Sequence, residues 1–121
     1  MCPIGHINQM EAKIRIIEYY TTAAGKQPVR SWLSGIKDSL TQAILYKRIR
    51  QAGLGNFGKI RNVGDGVNEL KINYGPGYRV YFGVYQDDLI LLLVGGIKRT
   101  QQSDIKKARD YWAQWQKEKK L

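Results

Sequence analysis

The sequence has little cysteine and little histidine, and these shortages exclude several classes of protein. Its 121 residues include one cysteine, Cys2, and one histidine, His6. A single cysteine cannot form an internal disulfide, and this pair cannot supply the ligands of a Cys and His zinc site. A disulfide framework and a zinc site are therefore excluded, and no metal or other cofactor is expected.

Long apolar runs and targeting signals are also lacking. No stretch of about 18 consecutive apolar residues, the length that spans a bilayer, occurs in the sequence. The N-terminal MCPIGHINQM has neither a charged start followed by an apolar run nor an amphipathic, Arg-rich character. No membrane association is expected, and a soluble cytoplasmic protein is the default prediction.

Acidic residues are scarce relative to basic ones. Ten Asp and Glu stand against twenty Lys and Arg, which gives a formal net charge of +10 at pH 7. Such a charge attracts nucleic acid or an acidic protein over long range. Solubility alone is the competing explanation, but it usually requires less charge in a small domain. The excess of positive charge therefore favours a polyanionic partner.

The first half of the sequence predicts one strand followed by two helices. β-Branched and aromatic residues in AKIRIIEYYTT favour a strand over about residues 12–22. Residues 24–53 carry Pro28 near a helix start and Gly35 in the middle, which predicts a helical hairpin. The segment GLGNFGKIRNVGDG is rich in glycine without a regular period, and we predict a loop there.

The second half predicts three antiparallel strands and a final helix. Strands are expected near residues 67–74, 78–86 and 89–95, because the turn sequences GPG and QDD allow only antiparallel connections. The apolar run LILLLV predicts a strand covered on both faces, and a helical stripe spans about residues 102–119. The predicted fold class is α+β, in the order β-α-α-β-β-β-α, with an antiparallel meander packed on helices.

The alternation around GPG predicts a sheet with one polar face. We expect Tyr74 to lie opposite Tyr78, which places Asn73 opposite Arg79. The predicted core face holds Leu70, Ile72, Val80, Phe82 and Val84. The predicted polar, basic and aromatic face holds Glu69, Lys71, Asn73, Arg79, Tyr81 and Tyr85.

Basic residues are predicted to converge at one end of this sheet. A two-residue loop that pairs Gln86 with Leu89 places Arg79 opposite Gly96. The converging residues are Lys71, Arg79, Lys98 and Arg99. Their charges suit RNA phosphate, and phenol rings suit stacking on unpaired bases, although a merely solvated sheet face is the alternative. The candidate RNA-binding residues are Asn73, Tyr81, Tyr85, Lys47 and Arg48.

Two segments and the order of elements resemble the RelE/ParE toxin superfamily, in particular the HigB-type phage-related addiction module killer proteins. The segments are NFGKIRNVGDGVNELKINYGPGYRVYF and LLLVGGIKRTQ. The resemblance covers about residues 12–113. It implies a RelE-like fold for a single toxin domain over residues 12–121. Residues 1–11 are then expected to form a flexible N-terminal extension.

The resemblance implies a toxin of a type II toxin-antitoxin system. Such toxins inhibit translation as ribosome-dependent, metal-independent mRNA endonucleases, and a cognate antitoxin, usually a small helix-turn-helix protein, holds them inactive. The expected partners are therefore the antitoxin, the ribosome and mRNA, without a membrane or a small-molecule cofactor. The superfamily also contains ParE-like toxins that inhibit DNA gyrase by binding, so a non-enzymatic toxin or an inactive antitoxin-binding member is the alternative.

The resemblance also implies catalytic roles. Lys71 matches a family lysine and is a candidate general base, and Arg79 matches the arginine of YRVYF, a candidate clamp for the scissile phosphate. Lys98 and Arg99 match the basic pair after the last strand, where a contact to the transition-state phosphate is expected. The implied catalytic set is thus Lys71, Arg79, Lys98 and Arg99.

The sequence departs from the best-studied RelE-type enzymes at two positions. Glu69 stands where they have a second lysine, and Ile105 stands near a tyrosine of their final helix. Tyr81 and Tyr85 are candidate substitutes for that tyrosine, because the expected register places them on the polar face. Trp112 and Trp115, which belong to the stripe of the final helix, are predicted to be core residues or anchors for an acidic antitoxin, and Trp32 is a further candidate anchor.

Overall fold

The computed structural model describes residues 12–119, which form a five-stranded sheet and three helices. The strands are β1 (Ile16–Tyr19), β2 (Ile60–Asn62), β3 (Asn68–Ile72), β4 (Tyr78–Tyr85) and β5 (Leu89–Ile97). The helices are α1 (Pro28–Ser34), α2 (Ser39–Gly53) and α3 (Gln101–Lys119), and a 3-10 turn (Lys98–Thr100) precedes α3. The predicted N-terminal extension, residues 1–11, lies outside the described residues.

The strands lie across the sheet in the order β1-β5-β4-β3-β2. Strand β1 pairs with β5 in parallel, and all other neighbours pair antiparallel. The α+β class and the meander of three consecutive strands are confirmed by β3, β4 and β5. The predicted order lacked one strand, however, because β2 lies in the segment predicted to be a loop. Strand β1 is also shorter than the predicted residues 12–22.

The helices begin where local chemistry satisfies their first backbone groups. Pro28 occupies the first turn of α1, where its missing N–H costs no hydrogen bond. The carboxylate of Asp38 caps α2 by accepting hydrogen bonds from the backbone N–H of Thr41 at 3.0 Å and from its hydroxyl at 2.6 Å. Within residues 12–119, no helix combines the length and the apolar character that crossing a membrane requires.

The sheet separates two hydrophobic clusters. The first packs the sheet on α1 and α2, and its sheet residues include Leu70, Ile72, Val80 and Phe82, with Val84 at its margin. This confirms the predicted core face. The second packs the other face on α3 through residues that include Tyr81, Leu91, Leu93, Ala108 and Trp112. Strand β5 contributes to both clusters, so the prediction that LILLLV is covered on both faces is confirmed.

Helix α3 covers part of the face that was predicted to be open to RNA. Tyr81 is fully buried, and Trp112 is 4% exposed. The apolar stripe of α3 needs a sheet face, and α1 and α2 already occupy the other one. Tyr81 therefore offers no open ring on which a base could stack, which contradicts its prediction as an RNA-binding residue. Trp112 packs in the core, one of the two places predicted for it.

The pairing of β3 with β4 differs from the prediction by two residues. Ile72 lies opposite Tyr78 and Lys71 opposite Arg79, because the connecting loop holds five residues instead of three. In this loop Gly77 has a φ of 81°, which glycine adopts without strain. A shift of two residues leaves every side chain on its predicted face, so only the cross-strand partners change.

The pairing of β4 with β5 brings Arg79 opposite Gly96, as predicted. Tyr85, not Gln86, pairs with Leu89, so the hairpin loop is one residue longer than expected. A β-bulge farther along the hairpin then shifts the register back by one residue. The correct pairing at Arg79 thus results from two deviations that cancel.

Candidate functional site

A cleft of about 370 Å³ lies where β2, β3, β4 and the start of α3 meet. Its lining residues are Lys59, Ile60, Arg61, Glu69, Lys71, Arg79 and Gln101. Four of these seven residues are basic, and we call this site the basic cleft. It combines two predicted site residues, Lys71 and Arg79, with Arg61 on the unpredicted strand β2 and Lys59 just before it.

The carboxylate of Glu69 is the most densely bonded group of the basic cleft. Its Oε2 accepts hydrogen bonds from Gln101 Nε2 at 2.6 Å and from the Tyr81 hydroxyl at 3.3 Å. Arg61 donates from Nε to Oε1 at 3.2 Å and from Nη2 to Oε2 at 3.4 Å. The Nε of Arg79 lies 3.6 Å from Oε2 in a salt bridge. The buried charge of Glu69 is therefore compensated on several sides.

This arrangement follows from the sheet. Arg61 on β2, Glu69 on β3 and Tyr81 on β4 occupy directly paired positions, so their side chains share one face. Arg79 precedes Tyr81 by two residues on the same strand and points to that face as well. Gln101 reaches Glu69 from above because it is the first residue of α3, the helix that covers this face.

The surroundings of Glu69 hold its carboxylate in the charged form. Burial alone would raise the pKa of Glu69, but hydrogen bonds from Arg61 and Gln101 and the charges of Arg61 and Arg79 outweigh it, so the pKa lies below the ordinary value of 4.5. Burial, assisted by the charge of Glu69, raises the pKa of Tyr81. The carboxylate is thus ionised and the phenol protonated at neutral pH.

This pKa shift predicts a specific loss of stability in acid. The pKa of Glu69 is lower in the folded protein than in the unfolded chain. Its contribution to the free energy of unfolding is therefore complete above about pH 4.5, and it is lost as the pH falls through the folded pKa. We expect Glu69→Gln to cost about 1–3 kcal/mol at pH 7 and to flatten the fall in stability in that acid window. Urea unfolding from pH 7 down to about pH 3 measures both.

The matched control is Glu18→Gln, which makes the same chemical change on an exposed strand residue. We expect this variant to retain the acid profile of the wild type. Equal acid slopes for wild-type protein and Glu69→Gln would show that Glu69 contributes nothing in this window.

Arg79 is buried but directed toward the basic cleft. Its side chain is 5% exposed, and its Nη1 donates a hydrogen bond to the carbonyl of Gly77 at 2.8 Å. Its Nε has no hydrogen-bond partner and faces Glu69 at salt-bridge distance only. A Cβ on Gly77 would lie 2.9 Å from Nη1, so a glycine is needed for this approach. The guanidinium is therefore held in place while its buried Nε stays without a hydrogen bond.

The predicted basic residues do converge, but in two adjoining sites. Lys71 is partly buried beside Arg79 in the basic cleft. Lys98 and Arg99 are exposed in the 3-10 turn and line a neighbouring hollow that shares Gln101 with the cleft. The backbone N–H of Lys98 donates to the same Gly77 carbonyl that binds Arg79, at 2.9 Å. This shared carbonyl fixes Lys98 beside Arg79.

Several positive charges without an acidic partner lie around the basic cleft. Among the residues that the structure describes, Lys59, Lys71, Lys98 and Arg99 form no salt bridge. Arg61 forms one with Glu69 but is 59% exposed. Together they produce a positive field at an open surface, as required for contact with phosphate.

Other predicted RNA-binding residues lie away from the basic cleft. Lys47 and Arg48 belong to α2, on the opposite face of the sheet, and Arg48 donates to the Phe57 carbonyl. Tyr85 lies at the far end of β4 and packs edge-on against Trp115, with ring centroids 4.9 Å apart. The structure does not bring these residues together with Arg79.

The other residues singled out from the sequence lie around the edges of the basic cleft and of the two hydrophobic clusters. Asn73 is exposed in the loop after β3, close to the cleft in sequence, and Ile105 packs at the margin of the α3 cluster. Trp32 is partly buried, with its ring 6.1 Å from that of Tyr78. Trp115 is partly buried in α3. Trp32 and Trp115 therefore retain some exposed surface.

Sequence reasoning missed Lys59, Arg61 and Gln101 as site residues. Lys59 and Arg61 flank Ile60, an alternation that fits a strand, but three residues are too few for a reliable period. Gln101 becomes a site residue only because α3 crosses this sheet face. Among the described residues, no cluster of three or more His, Cys, Asp or Glu side chains could hold a metal ion.

Comparison with known proteins places the chain in a family without assigning an activity. No protein-family model matches the sequence. An uncharacterized protein of Haemophilus influenzae is 47% identical to it over 79 residues, which span 65% of this chain and 80% of that protein. The chain therefore belongs to the same family as that Haemophilus influenzae protein.

Proposed function

We propose that the protein is a RelE-like toxin of a type II toxin-antitoxin system, an endoribonuclease that cleaves mRNA on the ribosome in the cytoplasm. The main support is the buried guanidinium of Arg79, which faces a cleft with Lys71 opposite it and further positive charge on both sides. The resemblance of ELKINYGPGYRVYF and GGIKRTQ to the HigB-type killer proteins supports the same class. An α+β architecture with a meander and a C-terminal helix is compatible with it.

The chemistry requires few groups. The ribose 2′-oxygen loses its proton, attacks the adjacent phosphorus, and displaces the 5′-oxygen of the next nucleotide, which takes up a proton. The products carry a 2′,3′-cyclic phosphate and a 5′-hydroxyl. Protein groups must accept the first proton and stabilise the charge that grows on the phosphate oxygens. The protonated base or a water molecule returns a proton to the leaving 5′-oxygen, so ordered donors and one base suffice for these steps.

The basic cleft offers candidates for each task. Arg79 is preorganised by Gly77 and Glu69 in a poorly solvated position, where its charge acts on a phosphate more strongly than it would in water. Lys71 lies opposite Arg79 and is the candidate base. Glu69 is a poor base, because its oxygens already accept several hydrogen bonds and its pKa is lowered, with burial outweighed by those donors. Lys98 adds positive charge beside Arg79.

The proposed partners fit the charge of the protein. A net charge of +10 favours contact with ribosomal RNA and with an acidic antitoxin, which we propose to be a small helix-turn-helix protein. The proposed toxin needs neither a membrane nor a small-molecule cofactor. A non-enzymatic toxin that inhibits DNA gyrase is the competing function, and the basic cleft would then be a binding surface only.

Mapping of mRNA ends tests the nuclease directly. After a pulse of expression, primer extension on a reporter message should show new cuts, and the same message without its start codon should stay intact. The new 5′ ends should accept phosphate from a kinase without prior dephosphorylation, because the mechanism leaves a 5′-hydroxyl. An intact message in growth-arrested cells would overturn the proposal, and a loss of DNA supercoiling there would support the gyrase inhibitor.

A further inference from the structure

The buried carboxylate of Glu69 is neither the candidate base nor a phosphate ligand, yet it contacts both arginines of the basic cleft. A buried ion pair adds little net stability compared with apolar packing of the same volume. Yet this sheet position holds a carboxylate that is 4% exposed and receives donors from β2, β4 and α3. Its geometry points to a role in placing the arginines.

We propose that Glu69 is a positioning residue that holds Arg61 and Arg79 as a two-arginine clamp for an RNA phosphate. This inference rests on the proposed function, because it assigns the clamp to the substrate of the same cleft. Glu69 does not touch the phosphate itself. It sets the distance and the orientation of the two guanidinium groups that do.

The hydrogen bonds leave each arginine with donors for a ligand. Arg61 uses Nε and Nη2 toward Glu69, and within the described residues its Nη1 has no hydrogen-bond acceptor. Arg79 turns Nε toward Glu69 and uses Nη1 for the Gly77 carbonyl, and its Nη2 likewise has no acceptor in the described chain. Because guanidinium is planar, fixing one edge also fixes the direction of the remaining donors.

The charges explain why a carboxylate suits this position. Two guanidinium groups at one cleft repel each other, and a carboxylate between them allows both to remain there. The three groups keep one net positive charge, which a phosphate neutralises. Loss of the carboxylate makes the cleft more positive but releases the arginines. Affinity for RNA and the rate of cleavage should therefore respond differently to a change at Glu69.

Glu69→Gln separates positioning from a purely structural role. We expect ribosomes carrying a 2′-O-methyl mRNA, which cannot be cleaved, to bind this variant at least as tightly as the wild type. Single-turnover cleavage of the unmodified mRNA should be about 10- to 100-fold slower. The control Glu18→Gln should match the wild type in both assays. Unchanged cleavage, or a parallel loss of binding and cleavage, would overturn the clamp.

Nuclear magnetic resonance of the arginine Nε–H groups tests the geometry independently of activity. Inorganic phosphate is titrated as the probe. In the wild type the Arg61 and Arg79 signals should follow the same saturation curve, because both arginines bind the same phosphate, and in Glu69→Gln they should follow separate curves. Separate curves in the wild type would reject the clamp even in an active nuclease. A wild type that cleaves no mRNA would reject the proposed function, and the phosphate titration would still decide between a clamp and unrelated arginines.

Discussion

Replacement of Arg79 by lysine is expected to slow the proposed mRNA cleavage by about 100- to 1000-fold while the protein stays folded. Lysine retains a positive charge near Glu69, so the buried carboxylate keeps a counter-ion. It lacks the planar set of donors, however, and cannot bond the Gly77 carbonyl and a phosphate together as the guanidinium can. Alanine is a less informative change, because it removes a 5% exposed side chain and would destabilise the fold as well.

Arg109→Lys is the matched control for this variant. Arg109 is partly buried and donates from Nε to the Val63 carbonyl at 2.9 Å, but it does not line the basic cleft. Primer extension on the reporter message measures cleavage, and urea unfolding measures stability for both variants. Full cleavage by Arg79→Lys, or an equal loss in Arg109→Lys, would remove Arg79 from the proposed site.

Trp112→Ala is expected to have the largest effect on stability, about 3–5 kcal/mol. Trp112 is 4% exposed, and its ring lies over the backbone of β4, where a Cβ on Gly83 would be 2.5 Å from the ring. It also stacks on Trp115, with centroids 5.3 Å apart and an interplanar angle of 8°. Loss of this ring leaves a cavity under α3, and it loosens the helix that positions Gln101 against Glu69.

The comparison with Trp115→Ala tests this expectation. Trp115 is on the same helix but only partly buried, so its removal should cost about half as much. Urea denaturation of both variants gives the two losses in the free energy of unfolding. The dependence of that free energy on urea concentration should have the same slope in both, which shows that they share a common unfolded state. Equal losses, or a smaller loss at Trp112, would mean that α3 is held to the sheet mainly by other contacts.

The face of each strand was easier to predict than its partners. The period of two placed Leu70, Val80 and Phe82 on the core face, and a shift of two residues does not alter such an assignment. Cross-strand partners depend on loop length, which a sequence containing several glycines leaves open. The apolar stripe of α3 predicts that the helix is buried but not which sheet face covers it, and so the burial of Tyr81 was missed.

The site was predicted in part for the same reasons. Lys71, Arg79 and Lys98 lie close together because strand alternation and short hairpins constrain them. The contributions of Arg61 and Gln101 depend on a three-residue strand and on the docking of a helix distant in sequence. Glu69 was placed on the polar face, but it was singled out only because it differs from the RelE-type enzymes that the sequence resembles. Its bonds to both arginines become visible only in three dimensions.

The parallel pairing of β1 with β5 has a consequence for the order in which the chain folds. Ile16 pairs with Leu89, so the first strand finds its neighbour only after most of the chain has been synthesised. Gln101, the first residue of the last helix, is made later still and completes the bonding of Glu69. A growing chain therefore lacks the finished cleft until α3 is available. The ribosome that makes the proposed toxin thus carries it without a finished cleft for most of its synthesis.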